Sequence, residues 1–213
     1  KPDAAPLSAK SIKNIHGVLH KALKQAVLIG YLRTNPTESC ILPRIIRKEM
    51  HPLEEDQVAV FLREVQGHPH EYLYKIALFT GLREGEVLGL GWEHIDFQAG
   101  TLTVKRQLRR EQKKGGEYYF SPPKNNKSRC LTLAPSVIQL FRLQKLEQNS
   151  MRMEAGDAWE EHGLIFTNQT GGYLSYRTVY DCFKRIVRNI GAPATRFHDL
   201  RHTFAVASIK SGD

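Results

Sequence analysis

The sequence predicts an α+β fold that is mainly helical, with a small antiparallel sheet at one edge. Apolar residues recur every three or four positions in several long segments, which is the spacing of amphipathic helices. These segments cover residues 7–28, 53–65, 72–79, 135–153 and 175–190 and a stretch that begins near 197. Residues 101–108 alternate between apolar and polar, and residues 122–133 are typical of a hairpin with a polar tip and an outgoing strand.

The composition favours a protein that binds a polyanion. The chain has 213 residues and 41% hydrophobic content, enough to bury one full domain core with a smaller piece beside it. Lys and Arg number 31 against 22 acids, which gives a formal charge of +9. A membrane surface would also attract this charge, but no apolar run approaches the roughly 20 residues of a spanning helix. Nucleic acid is therefore the favoured partner.

The cysteines and histidines give no indication of a metal or disulfide site. Cys40, Cys130 and Cys182 are odd in number and widely separated, without the ligand spacing of a zinc site. His68 and His70 flank a proline and lack a carboxylate cluster, so a plain turn is favoured over a metal site. We therefore expect no metal, and the free thiols fit a reducing cytosol.

The first predicted helix, 7–28, starts at a plausible N-cap, Ser8, and stops at Gly30. Its polar face is basic, and both a solvated face and a face that tracks DNA phosphates are open interpretations. The lysines proposed to contact DNA here are Lys10, Lys13, Lys21 and Lys24. Residues 42–52 follow, with prolines near both ends and a basic middle that includes Arg44 and Arg47. This composition is typical of an interdomain linker.

The segment Phe197–Phe204 contains the densest group of residues that can hold or move charge on a phosphate. In a helix that begins near Phe197, His198 and Arg201 are three positions apart and project from the same face. His202 follows directly. A plain basic helix start resting on its apolar side is the alternative interpretation.

A second motif, Thr80-Gly-Leu-Arg-x-x-Glu, lies far upstream. Gly81 ends an apolar helix, and Arg83 falls in the first turn of the next. The helix dipole disfavours a cation there unless an anion is to be bound. Glu86 lies one turn later, where it can brace the arginine.

With these two motifs in this order, and a lysine-bearing hairpin between them, the chain resembles the tyrosine recombinases, the phage-type integrase family. It is most similar to integrases of conjugative transposons and temperate phages of Gram-positive bacteria. The resemblance implies that residues 1–41 end a helical core-binding domain, 42–52 form the linker and 53–213 form the catalytic domain. We expect the chain to be a fragment that lacks sequence at both ends.

Phosphodiester chemistry suits these residues. Arg83 and Arg201 offer planar, permanently charged forks that can clamp the scissile phosphate. The resemblance gives Lys124 the role of general acid toward the leaving 5′ oxygen, although Asn125 stands where the family more often has Thr. Lys127 is a competing candidate, and a solvated charge is the alternative for either lysine. His198 would position or exchange the proton of the nucleophile, with Glu86 and His202 in supporting roles.

The family's nucleophile is a tyrosine downstream of the His-x-x-Arg helix, yet all eight tyrosines precede His198. We therefore expect that the nucleophile lies beyond Asp213, that it lies in a segment that was not ordered, or that a neighbouring protomer supplies it. The reaction stores the bond energy in a 3′-phosphotyrosine, so no metal or nucleotide cofactor is expected.

The resulting hypothesis is a site-specific recombinase that integrates or excises a mobile element. We expect double-stranded DNA as partner, a homotetramer on paired sites, an accessory DNA-bending protein and a cytoplasmic, nucleoid-associated location. Lys127 and Arg177 would add DNA contacts, although the helix that carries Arg177 fits a scaffold role equally well. A type IB topoisomerase-like enzyme and an inactive DNA-binding regulator of the same fold are the alternatives.

Overall fold

The computed structural model describes residues 6–46, 49–113 and 115–211. The chain divides into two compact units, Lys1–Glu49 and Met50–Asp213. The division falls inside the predicted linker, whereas the assignment of residues 1–41 to a core-binding domain stays a prediction. Arg47, one of the predicted DNA contacts, lies outside the described residues.

The first unit consists of helix α1 (Ala9–Leu28) and a short 3-10 turn (Pro36–Ser39). The Ser8 side chain accepts a hydrogen bond from the main-chain N–H of Ser11, which confirms the predicted N-cap. His16 and His20 hydrogen-bond to Thr37, so these two imidazoles hold the turn against the helix. Along another face, at helical spacing, lie the four lysines predicted to contact DNA: Lys10, Lys13, Lys21 and Lys24.

The second unit is built mainly from helices, as predicted. Its helices are α2 (Glu55–Glu64), α3 (Glu71–Thr80), α4 (Glu84–Leu88), α5 (Pro135–Ala155), α6 (Tyr176–Asn189) and α7 (Phe197–Ser211). Acids in the first turn of α2 and a proline at the start of α5 match the preferences of helix N-termini.

Helix α3 occupies the centre of the core. Tyr74 is fully buried there and makes ring contacts with Phe61 of α2, Phe183 of α6 and Phe197 of α7. Its hydroxyl donates a hydrogen bond of 2.8 Å to the carbonyl of Val179, which satisfies the one polar atom it buries. Helices that carry both predicted motifs are therefore fixed against one aromatic cluster.

The predicted single sheet is in fact two small antiparallel sheets. Strands β1 (Ile95–Asp96), β2 (Thr101–Val104) and β5 (Arg129–Thr132) form one sheet, and β3 (Gln107–Arg110) and β4 (Tyr118–Ser121) form the other. The predicted strand 101–108 is broken at Arg106, whose side chain hydrogen-bonds to the carbonyl of Gly89 and pairs with Glu93.

The hairpin predicted for residues 122–133 is also wrong. Strand β4 pairs with β3, and β5 pairs with β2, so the segment that carries Lys124 connects two sheets. Pro122 and Pro123 follow β4, and because proline has no N–H donor the ladder cannot continue along them. A turn closed by the hydrogen bond from the Asn126 N–H to the Pro123 carbonyl then redirects the chain.

Candidate active site

The motif around Gly81 forms a sharp junction between α3 and α4. Gly81 ends α3 in the left-handed conformation, with φ of 60°, and its N–H donates to the carbonyl of Ala77. A Cβ added here would lie 2.5 Å from Cδ1 of Phe204 in α7. Only glycine therefore allows this backbone conformation together with the close approach of α7.

Helix α4 places Arg83 and Glu86 beside each other. Arg83 is the N-cap residue, and its main-chain N–H and Nη1 donate to Glu86 Oε2 and Oε1 at 3.0 and 2.9 Å. The Glu86 side chain is 1% exposed and that of Arg83 is 36% exposed. The carboxylate is thus buried under a guanidinium that still reaches the surface.

A third residue, Arg129 at the start of β5, completes this group. Its Nη1 and Nη2 donate to Glu86 Oε1 and Oε2 at 2.9 and 2.6 Å, a bidentate arrangement. Burial alone would raise the pKa of Glu86, but the hydrogen bonds from Arg129 and Arg83 outweigh it and lower that pKa to about 2. Glu86 is therefore a permanent anion with two cationic partners.

Glu84, two positions earlier, has the opposite environment. Its Oε1 is buried and has no hydrogen-bond partner in the described part of the chain. Burial raises the pKa of Glu84 to about 7. One short helix thus holds one carboxyl that is always ionised and one that is neutral below about pH 7.

The start of α7, which carries His198 and Arg201, is held in place by hydrogen bonds. Asp199 is fully buried and accepts hydrogen bonds from the main chain and guanidinium of Arg196. Burial alone would raise the pKa of Asp199, but these bonds from Arg196 outweigh it and lower the pKa. One turn later, the hydroxyl of Thr203 accepts from the N–H of Leu53 at 2.9 Å. These contacts fix the rotation of α7 and with it the direction of Arg201.

Arg201 reaches across to the α3–α4 junction. Its Nη1 donates to the carbonyl of Gly81 at 2.5 Å, two residues before Arg83. Burial and the nearby charges of Arg83 and Arg129 lower the pKa of Arg201, which shows that the guanidinium groups share one electrostatic environment. Within the described residues, Arg201 has no acidic partner in an ion pair.

His198 and His202 lie beside Arg201 on α7. Their rings are nearly perpendicular, with centroids 5.0 Å apart. Partial burial, His202 and Arg201 each lower the pKa of His198, and Arg83 contributes in the same direction. His198 is consequently held as a neutral imidazole near neutral pH, which is the form that accepts a proton.

Lys124 differs from these residues because its side chain is exposed. It lies in the turn between β4 and β5, and in the parts of the chain described here its side chain has no hydrogen-bond or ion-pair partner. Lys127, the competing candidate, is exposed in the same connection. The assignment between the two lysines stays a prediction, as do the roles of Arg83, Arg201, His198, Glu86 and His202.

The remaining predicted DNA contacts lie on the surface. Lys10, Lys21, Lys24 and Arg44 are exposed, and Lys13 is half-buried. Arg177 is exposed at the start of α6, where it pairs with Asp181 one turn later at 3.4 Å. A solvated face and a DNA-contacting face both fit these positions, so these assignments also stay predictions.

Arg129 is not among the predicted site residues, although the sequence carries a signal for it. Along β5, Arg129 shares a face with Leu131, and the strand alternates between half-buried and exposed residues beginning with this arginine. An arginine on the inward face of a strand needs a buried acidic partner. Glu86 is this acidic partner, but it lies 43 positions away along the chain, so the pair cannot be recognised from neighbouring residues.

Among the described residues, no group of three or more His, Cys, Asp or Glu side chains could hold a metal ion. Nor does any described helix have the length and apolar character needed to cross a bilayer.

Comparison with known proteins identifies the family of the chain. The profile of the phage integrase family matches residues 51–213, which is most of the chain and includes all of the elements that carry the arginine group, Arg83, Arg129 and Arg201. The chain belongs to the phage integrase family. Its fold, mainly helical with small antiparallel sheets, is that of tyrosine recombinase catalytic domains.

Curated relatives carry matching names. A XerC-like tyrosine recombinase of Caldanaerobacter subterraneus is 28% identical over 96% of this chain and 56% of its own length. The ICEBs1 integrase of Bacillus subtilis is 26% identical over 97% of this chain and 56% of its own length. The chain therefore spans about half the length of the curated relatives it matches.

Solved structures agree with the family assignment. The integrase of the transposon Tn1549, in complex with transposon right end DNA, superposes with a TM-score of 0.81 at 25% identity. That match covers 97% of this chain and 69% of the other. A lambda integrase dimer bound to a core site superposes with a TM-score of 0.59 at 21% identity, over 95% of this chain and 53% of the other, and supports the fold.

Proposed function

We propose that this chain contributes the phosphate-binding centre of a site-specific DNA recombinase that integrates or excises a mobile element. The observation that carries the proposal is the convergence of Arg83 and Arg201 at the α3–α4 junction. Two guanidinium groups repel each other and lose hydration when they are brought together, so the arrangement is stabilised by an anion between them. A phosphodiester has the matching charge and geometry.

The proposed reaction is an in-line displacement at phosphorus. A tyrosine oxygen attacks the scissile phosphate, a 3′-phosphotyrosine forms and the bond to the 5′ oxygen breaks. Arg83 and Arg201 hold the non-bridging oxygens, on which negative charge grows in the transition state. Lys124 gives its proton to the leaving 5′ oxygen, and neutral His198 takes the proton of the nucleophile. Rejoining runs the same steps in reverse.

The eight tyrosines of this chain all precede His198, and we assign the nucleophile to none of them. The chain's own contribution is to bind, orient and protonate. Since the phosphotyrosine bond conserves the energy of the broken phosphodiester, the scheme requires neither a metal ion nor a nucleotide.

The partners follow from the same proposal. The Tn1549 integrase relative is seen with transposon right end DNA, and double-stranded DNA is the partner we propose here. Strand exchange between two sites requires four cleavages, so we propose a homotetramer on paired sites, assisted by an accessory DNA-bending protein. The proposed location is the bacterial cytoplasm, at the nucleoid.

The direct test is covalent capture. The full-length protein is incubated with a suicide duplex, nicked so that the cleaved strand end diffuses away and rejoining is blocked. We expect a protein–DNA adduct joined through a tyrosine to the 3′ phosphate, formed equally well in a chelator. The absence of an adduct with DNA that the protein binds would contradict the proposal and favour a binding module. Chelator inhibition that magnesium reverses would contradict the metal-free reaction.

A further inference from the structure

Arg129 has no role in the reaction as proposed above, yet it makes two contacts to the buried carboxylate, one of which is the shortest that Glu86 accepts. Its fork donates to both oxygens of Glu86, at 2.9 and 2.6 Å. We propose that Arg129 is a positioning residue for the phosphate clamp: it neutralises Glu86, so that Glu86 orients Arg83 without consuming its positive charge. This inference rests on the proposed function and assigns a further residue to the same site.

The charge balance gives the first reason. The Glu86 side chain is 1% exposed, so water does not screen its charge. Paired with Arg83 alone, it would form a neutral ion pair, and a phosphate would meet little net attraction. With Arg129 added, the three groups carry one net positive charge. Because both terminal nitrogens of Arg129 are bound to Glu86, that charge is available at Arg83, whose side chain is 36% exposed.

The hydrogen-bond geometry gives the second reason. Arg83 contacts Glu86 through its main-chain N–H and one terminal nitrogen, Nη1. In the part of the chain that the structure describes, Nη2 of Arg83 makes no hydrogen bond to the protein. Each Glu86 oxygen accepts one bond from Arg129 and one from Arg83, which leaves the second nitrogen of Arg83 for a phosphate oxygen. Without Arg129, both terminal nitrogens of Arg83 could bind the two Glu86 oxygens, and neither would be left for a phosphate.

The position of Arg129 also connects the centre to Lys124. Arg129 begins β5, five residues after Lys124, and pairs in the ladder with buried Val104. At the other end of the turn, Gln107 Nε2 donates to the carbonyl of Pro122 at 2.6 Å. The bond between Arg129 and Glu86 therefore fixes one end of the turn that carries the proposed general acid.

The test uses the full-length protein and the suicide duplex at saturating concentration. In Arg129→Gln, we expect adduct formation to slow about tenfold to a hundredfold, by analogy with the loss of groups that orient the ligands of metal sites. The affinity for uncleaved duplex should change little, because Arg129 has no free fork for DNA. The control is Arg142→Gln, an exposed arginine on α5, which should keep the wild-type rate.

A second variant separates positioning from a general structural role. If Arg129 acts by neutralising Glu86, then removing that charge in Arg129→Gln/Glu86→Gln should restore part of the lost rate. A structural role would make the two losses multiply. The pH profile adds an independent readout, because Glu86 without Arg129 loses bonds that lower its pKa. Protonation of Glu86 at acid pH should therefore restore part of the rate in Arg129→Gln, so that the deficit of this variant shrinks as pH falls, whereas Arg142→Gln should follow the wild-type profile.

Folding is followed by thermal unfolding of each variant. If Arg129→Gln unfolds at the assay temperature, the double variant and Arg129→Lys carry the test, and Arg129→Lys should give an intermediate rate because it keeps charge but lacks a fork. A wild-type rate in the Arg129 variants, or multiplicative losses in the double variant, would overturn the inference while leaving the proposed function intact. A wild-type protein that forms no adduct would overturn both.

Discussion

The arginine group and the Lys124 turn are organised in opposite ways. Arg83, Arg129 and Arg201 are each held by hydrogen bonds to buried acceptors, Glu86 or the Gly81 carbonyl. Lys124 is exposed, and in the described residues only the backbone turn beneath it is fixed. In the proposed function, the charge that would hold a phosphate is therefore built in advance, whereas the proposed proton donor would be placed by the DNA.

This difference matches what each group must do. Stabilising charge in a transition state is most effective when the dipoles and charges need no reorganisation during the reaction. A general acid must approach the leaving oxygen at one step only, and an unpaired lysine keeps the freedom to do so.

Lys124→Ala should give the largest loss of cleavage rate, with almost no change in the stability of the protein. We expect adduct formation to slow about a hundredfold to ten-thousandfold, as for the loss of a general acid, with stability unchanged within about 0.5 kcal/mol. A substrate with sulfur in place of the leaving 5′ oxygen should restore the rate, because a thiolate leaves without a proton. Quenched-flow cleavage assays on the two substrates measure both effects.

The matched control is Lys127→Ala, an exposed lysine of the same connection. With both substrates at saturating concentration, it should cleave at nearly the wild-type rate. If Lys127→Ala shows the large loss and the sulfur rescue, the general acid is Lys127 and the assignment of Lys124 is wrong.

Gly81→Ala should destabilise the protein at the helix junction that positions the arginine group. The new Cβ meets Phe204 at 2.5 Å, and the residue keeps a φ of 60°. We expect a loss of about 2–5 kcal/mol in unfolding free energy, from left-handed strain and overpacking together. Urea denaturation measures it.

Gly191→Ala is the control for strain alone, since Gly191 has a φ of 74° and open space around its Cβ position. It should cost about 1–2 kcal/mol. Equal costs at the two glycines would show that the close approach of α7 to Gly81 does not matter.

Glu84→Gln should stabilise the protein only at higher pH. The pKa of Glu84 is raised from 4.5 to about 7 in the folded state. The folded state therefore retains a proton that the unfolded state has lost, and stability falls as pH rises from about 4.5 to about 7. The variant should gain about 1–3 kcal/mol over wild type at pH 8 and almost nothing at pH 4. Urea denaturation at the two pH values, with exposed Glu55→Gln as control, checks this; equal differences at both would contradict it.

The smallest effect is expected from the lysine face of α1. Lys10→Gln/Lys24→Gln should reduce the slope of log affinity against log salt by up to about 2, since each neutralised phosphate contributes about 0.9. Duplex titrations over a series of salt concentrations measure the slope, with Lys145→Gln of α5 as control. An unchanged slope would identify a solvated face.

The sequence was a good guide where the signal was local. Helical spacing located the elements that carry Arg83 and His198, and the pattern Thr80-Gly-Leu-Arg predicted a helix junction that the structure confirms. It failed where partners are distant. The strand pairing after Pro122 depends on which partner strand is available to each strand, and Arg129 reaches Glu86 because β5 pairs with β2. Neither property appears in a window of neighbouring residues.

The most direct measurement compares cleavage with binding in Arg83→Lys. This change keeps the charge but removes the fork, so transition-state stabilisation should fall while most DNA affinity remains. We expect the full-length variant to form adduct on the suicide duplex about a hundredfold to a thousandfold more slowly, about 3–4 kcal/mol, with a nearly unchanged gel-shift titration. A wild-type rate of adduct formation would reduce Arg83 to a structural residue at the start of α4. Equal losses in rate and affinity would make it a DNA-docking residue and contradict a preformed phosphate clamp.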